Sequence, residues 1–157
     1  RQVLDLGAGI GPLGLWATRR WPDARLLAVE SNYLAAALVS ENAARLGCGH
    51  RVDVLASDGL PATGPGSGMG SVRGRIDLAL VNPPTHADPE AFARLVAPLR
   101  QWLRPGAPAW FVVNRAGRLT QVLAQTGAEL DLTEVPGFTL VRATWPQGQV
   151  NLSTKPG

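Results

Sequence analysis

Residues 3–12 read Val3-Leu4-Asp5-Leu6-Gly7-Ala8-Gly9-Ile10-Gly11-Pro12, an apolar run that breaks into alternating glycines and ends on proline. The first half is strand-like. Glycine lets the backbone turn sharply and pass close to whatever lies beside it. Proline is tolerated at the first position of a helix, where its missing N–H would have had no partner. Strand, glycine turn and helix N-terminus therefore follow one another within ten residues. The helix should continue through Leu13, Leu15, Trp16 and Ala17 and end near Arg19-Arg20, before Trp21-Pro22.

The same alternation runs down the chain. Arg25–Val29 is a second buried strand with Glu30 at its tip, and Ser31 or Asn32 can cap the next helix. In that helix Leu34, Leu38 and Leu46 share a face, and Gly47 stops it. Val52–Ala56 is a third strand, followed by Ser57-Asp58-Gly59. Residues 61–74 have little to bury and read as a mobile loop. Arg75–Val81 is a fourth strand, and 88–103 is helical with a break at Pro98. Ala109–Val113 is a fifth strand, and a short helix lies around Arg118–Gln125. Glu129–Val135 and Thr139–Trp145 close the chain as a hairpin across Pro136-Gly137. Strands alternating with helices make a parallel sheet covered on both faces. The expected fold is thus α/β, Rossmann-like and doubly wound. Its mainly parallel seven-stranded sheet carries a C-terminal antiparallel β-hairpin. Residues 1–145 form one domain and 146–157 a loose tail.

Composition sets outer limits. A chain of 157 residues, 45% hydrophobic and 17% charged, belongs with globular domains holding one core. No apolar stretch reaches the roughly 18 residues that span a bilayer. The single cysteine, Cys48, cannot form an internal disulfide, so a reducing cytoplasmic setting is expected. The formal charge is +3, and every basic residue except Lys155 is arginine. The arginines are scattered, which gives only slight support for a nucleic-acid partner. No metal is expected.

Open parallel sheets bind ligands beyond the carboxyl ends of their strands. Four such ends carry an unusual residue: the glycine loop, Glu30, Asp58 and Asn82. Gly9, Gly11 and Gly14 match the dinucleotide pattern G-x-G-x-x-G, with Glu30 at a distance that suits a ribose. Asp5 argues otherwise, because a carboxylate beside the loop would repel a pyrophosphate. S-adenosylmethionine has no phosphate and carries an ammonium and a sulfonium group. The string Asp5-Leu6-Gly7-Ala8-Gly9-Ile10-Gly11 resembles motif I of the class I methyltransferases, with acidic residues after strands two and three as in that superfamily. The resemblance implies S-adenosylmethionine as cofactor, with Asp5, Gly7, Ala8, Gly9 and Gly11 around its methionine half. It also implies Glu30 on the ribose hydroxyls and Asp58 on the adenine amine. Ser31, Gly59 and Asn82 complete the expected cofactor set.

Asn82-Pro83-Pro84 resembles the N-P-P element that amino-methyltransferases carry after strand four. An exocyclic or amide nitrogen shares its lone pair with a π-system and is a poor nucleophile until that pair is localised. The Asn82 side-chain oxygen and the Pro83 carbonyl can each accept one N–H of a planar NH₂, while the prolines hold both acceptors still. These three are the expected catalytic residues. In the familiar motif an aromatic follows and stacks on the target; here Thr85 stands in its place. His86 matches the histidine of the N-P-P-F-H form found in ribosomal RNA guanine-N2 methyltransferases of the small-domain family. The resemblance implies substrate contacts from Thr85 and His86, an RNA substrate that is ribosomal, and methylation of guanine N2. The sibling alternative is a protein glutamine, whose amide poses the same chemical problem. The others are a non-catalytic S-adenosylmethionine-binding module and an NAD(P) oxidoreductase domain. Strand one begins at once, so a missing upstream domain is expected to assist substrate binding, as in the rRNA enzymes.

Overall fold

The structure, a computed structural model, describes residues 1–61, 72–83 and 89–146. Pro84, Thr85, His86, most of the expected 61–74 loop and the tail beyond Pro146 lie outside the described residues.

Strand β1 (Gln2–Leu6) leads through the glycine turn into α1 (Pro12–Arg20), then β2 (Arg25–Glu30) and α2 (Tyr33–Arg45). A short 3-10 turn at Gly49–Arg51 precedes β3 (Val52–Ala56), and β4 (Leu78–Val81) follows. Next come α3 (Pro89–Val96), α4 (Leu99–Trp102), β5 (Ala109–Val113) and α5 (Gly117–Gln125). Strands β6 (Glu129–Val135) and β7 (Phe138–Thr144) end the fold. One seven-stranded sheet results, ordered β3-β2-β1-β4-β5-β7-β6, with β7 antiparallel to its neighbours and the pairs from β3 to β5 all parallel.

Register fixes the functional edge. Leu6 lies beside both Val29 and Val81, so the glycine loop, Glu30 and Asn82 leave the sheet at one level. Val113 pairs with Thr139 on antiparallel β7, which brings the β6–β7 turn to that same carboxyl edge. Gly137 takes φ +84° after Pro136, the pairing of residues a type II turn requires.

Strand parity divides the interior. Leu4 and Leu6 face the larger core with Phe111, Trp102, Leu99, Leu119 and Leu123, beneath α3 to α5. Val3, Leu26 and Ala28 face the smaller one with Leu15, Val39 and Ala43, beneath α1 and α2. Asp5 shares the parity of Val3 and so points towards α1.

Two local expectations change and one holds. Strand β4 begins at Leu78 rather than Arg75: the Asp77 N–H still donates to the Gln2 carbonyl at 2.8 Å, but the Gln2 N–H goes to the Asp77 carboxylate at 2.7 Å instead of a backbone carbonyl. The 88–103 helix is split at Pro98 into α3 and α4, as that residue forewarned. In α2 the leucine stripe faces outward, with Leu34 78% exposed, while Ala36, Val39 and Ala43 meet the sheet. Both stripes have helical spacing. The small one lets the helix lie closer to the strands, a preference that periodicity does not express. Asn32 caps this helix, its Oδ1 accepting from the Leu34 and Ala35 N–H groups.

Candidate functional site

The glycine turn directs nearly all its donors inward. Gly7 and Ala8 both donate to the Val29 carbonyl, at 2.9 and 3.1 Å. Gly9 donates to Glu30 Oε2 at 2.8 Å, Gly11 to the Ala8 carbonyl at 2.8 Å, and Gly14 to Asp5 Oδ2 at 2.8 Å. Pro12 has no N–H to give. Within residues 7–14 only Ile10 and Leu13 keep N–H groups without a partner among the described residues.

Gly7 has to be glycine. Its φ is +74°, and a Cβ there would stand 2.5 Å from the carbonyl oxygen of Asn82. The tips of β1 and β4 therefore touch backbone to backbone, and the Asn82 N–H donates to the Leu6 carbonyl at 3.1 Å. The glycine loop and Asn82 thus lie side by side at one edge.

Asp5 is 1% exposed and lies beneath this edge. Burial first, and the nearby Glu30 carboxylate second, push its carboxyl up from the usual 3.8 to about 6, against the lowering effect of the Gly14 hydrogen bond. Its Oδ1 is buried without a donor among the described residues and can accept one more hydrogen bond. A methyl donor with a cationic ammonium group suits a site above such a carboxylate; a pyrophosphate would find only the Ile10 and Leu13 N–H groups free, above a carboxylate that repels it. The residues present therefore fit S-adenosylmethionine better than a dinucleotide.

Glu30 is half-buried at the β2 tip. Beyond its bond to Gly9, its Oε1 accepts from the Asn32 N–H at 2.8 Å and the Ser31 hydroxyl at 3.3 Å. Asp58 is exposed two residues beyond Ala56, the partner of Glu30 in the β2–β3 register. It is linked to that tip through the Ser57 N–H, which donates to the Glu30 carbonyl at 2.9 Å, while the Ser57 hydroxyl donates to the Gly59 carbonyl at 3.0 Å. The structure thus brings Asp5, Gly7, Ala8, Gly9, Gly11, Glu30, Ser31, Asn82 and Pro83 to one edge, with Asp58 and Gly59 at the neighbouring strand tip. Pro84, Thr85 and His86 lie outside the described residues.

Beside Asn82, on the side away from the glycine loop, is a small concavity of about 40 Å³. Buried Pro83, Phe92 and Val113 form its floor, and exposed Asn114, Arg115 and Phe138 stand at its rim with Asn82. The sequence reading missed this rim. Asn114 follows β5 directly, so the rule that ligands gather at strand carboxyl ends could have flagged it. Phe138 carried no such signal, because its position depends on the register of the hairpin.

A sheet of this order, with its last-but-one spatial strand reversed and a glycine loop between the Glu30 and Asn82 strand tips, has the class I methyltransferase fold. Residues 1–142 match the model of the methyltransferase small domain, and the chain belongs to that family. It is 40% identical over 119 residues to the ribosomal RNA large subunit methyltransferase G of Streptomyces griseus, covering 73% of this chain and 29% of that protein. It is 30% identical over 149 residues to the ribosomal RNA small subunit methyltransferase C of Pseudomonas entomophila, covering 91% of this chain and 41% of that protein. The chain therefore spans less than half the length of these relatives. Among solved structures, the ribosomal protein L11 methylase of Lactobacillus delbrueckii subsp. bulgaricus shares the fold with a TM-score of 0.72 at 19% identity, over 93% of this chain and 70% of that one.

Proposed function

We propose that this domain moves a methyl group from S-adenosylmethionine to a planar exocyclic nitrogen, guanine N2 of ribosomal RNA. The observation that carries the reading is the contact between the glycine loop and the N-P-P element, where the Asn82 carbonyl abuts the position of a Gly7 Cβ at 2.5 Å. A donor bound over that loop with its methionine end towards Asp5 would have its methyl near Asn82. S-adenosylmethionine, when bound, would supply an electrophilic methyl and leave as a neutral thioether, and the target nitrogen would take that methyl and give up one proton. Asn82 and the rigid Pro83-Pro84 pair contribute orientation, accepting the N–H groups so that the lone pair faces the methyl. Asp5, the glycine loop and Glu30 with Ser31 hold the donor's methionine and ribose, and Asp58 with Gly59 its adenine. Thr85 and His86 contact the substrate.

The kinship with two rRNA methyltransferases supports RNA as the substrate over a protein glutamine. The described helices include none long and apolar enough to cross a membrane, and the one cysteine is buried, which accords with a cytoplasmic enzyme. An upstream domain that assists RNA binding belongs to the same reading. The test offers the full chain radiolabelled S-adenosylmethionine together with undermethylated ribosomal RNA and with total protein. Label in guanine of the RNA is expected. Label confined to protein would replace guanine by glutamine, and label in neither would leave a binding module.

A further inference from the structure

The familiar N-P-P motif supplies its own stacking ring, and this chain has Thr85 at that position instead. A target base still needs a face to lie against, since stacking is sequence-tolerant and supplies much of the grip on an extruded base. Phe138 offers one. The antiparallel register of β7 carries it to the carboxyl edge, one residue beyond the Val113–Thr139 pair. It is a large apolar ring 47% exposed, and it borders the same concavity as Asn82. The Pro136-Gly137 turn holds it at a fixed place rather than on a long loop.

We infer that Phe138 is the aromatic wall on which the target base stacks, in the role that position 85 does not fill, with Arg115 as a donor to the edge of that base. This inference rests on the methyltransferase reading of the site. The floor of the concavity is apolar, as a base face requires: Phe92 is 6% and Val113 8% exposed. Asn114 and Arg115 make no side-chain hydrogen bond or ion pair among the described residues, so their donors are available at the rim. A guanidinium matches a guanine, whose O6 and N7 both accept, better than an adenine, which offers a donor beside its acceptor. An arginine here therefore favours guanine among bases with an exocyclic amine.

The test measures methyl transfer by the full chain to undermethylated ribosomal RNA, with S-adenosylmethionine affinity measured separately. Phe138→Ala should raise KM for RNA roughly tenfold or more, the effect of removing one stacked base contact, and leave cofactor affinity unchanged. Phe138→Tyr should keep the parent KM. Phe138→Leu keeps apolar bulk without a ring and should behave like Phe138→Ala; a half-exposed position tolerates it even if alanine loosens the hairpin, which a thermal melt would reveal. A parent-like KM in Phe138→Leu would overturn the stacking role while leaving the methyltransferase reading standing. Failure of the parent to label RNA, or parent-level transfer by Asn82→Ala, would instead remove the site reading itself. Arg115→Ala should raise KM in the same assay, and an unchanged KM would overturn its part.

Discussion

The two sides of the site are made of different material. On the β1–β2 side, five of the loop's backbone N–H groups are already tied to Val29, Glu30, Ala8 and Asp5, and a buried carboxylate lies underneath. On the β4–β5 side, Asn82, Asn114, Arg115 and Phe138 reach outward around an apolar floor, and their side chains meet little of the protein. The first side is rigid before any ligand arrives. The second presents functional groups without tying them into the fold. Substitutions on the first should therefore disturb folding and cofactor binding together, while those on the second should alter transfer and leave the fold alone.

Gly7→Ala strikes the seam between the two and should have the largest effect. A left-handed φ costs a non-glycine residue about 1–3 kcal/mol, and the Asn82 carbonyl at 2.5 Å adds a backbone clash that no rotamer relieves. Loss of cofactor binding and a melting point lower by roughly 10 °C are expected. A variant with parent-like melting and binding would mean that the seam is pliable and the contrast between the sides overdrawn.

Asn82→Ala comes next and separates the sides. If its oxygen is used mainly in the transition state, transfer should fall by about 10²–10³ in single-turnover measurements at saturating cofactor. Cofactor affinity should hardly change. An equal loss of affinity would assign Asn82 to the binding side.

Asp5→Asn probes the buried floor through pH. Burial raises the Asp5 carboxyl to about 6, so the folded state retains a proton that the unfolded chain, near 3.9, has released. Between about pH 4 and 6 the folded state binds more protons than the unfolded one, and stability falls as pH rises through that window, levelling off above 6. Two pKa units correspond to about 3 kcal/mol. Denaturant midpoints across this range should slope downward for the parent and lose most of that slope in Asp5→Asn. An unchanged slope in the variant would assign the pH dependence to other groups.

The succession of strands and helices along the chain and the four loaded strand tips were legible in the sequence because each rests on local chemistry. Pro12 must start a helix, Gly7-Ala8-Gly9 must turn, and Asn82-Pro83 must end a strand. What stayed hidden depends on placement across the chain. Nothing near Asp5 says that its carboxylate turns under α1 to meet Gly14, because that follows from strand parity and from where the helix lands. The outward Leu34–Leu38 stripe was hidden for a similar reason: two stripes of equal period compete, and the distance between helix and sheet decides. Phe138 joins Asn82 only once β7 has paired with β5, 57 residues after Val81 ends β4, the last strand that local patterning places at the site.

Asp58→Ala should show the smallest effect and tests the boundary of the rigid side. Unlike Asp5 and Glu30, Asp58 is exposed and its carboxylate holds none of the loop's N–H groups. Its neighbour Ser57 makes the local bonds, to Glu30 through the backbone and to Gly59 through the hydroxyl. Removing the carboxylate therefore leaves the strand tip intact, and thermal stability should stay within about 0.5 kcal/mol of the parent, as for other exposed positions. On the proposed function, what is lost is one acceptor for the adenine amine. A hydrogen bond made in exchange for water is worth on the order of 1 kcal/mol, so cofactor affinity should weaken tenfold or less. Transfer at saturating cofactor should be close to the parent's, because the adenine lies far along the donor from the reacting carbon. The pattern is the reverse of that for Asn82→Ala, and the two variants measured side by side show whether binding and transfer reside on separate strand tips. A large loss of turnover in Asp58→Ala at saturating cofactor would show that adenine placement also sets the methyl's position, and the division between the two sides would then fail at its outermost residue.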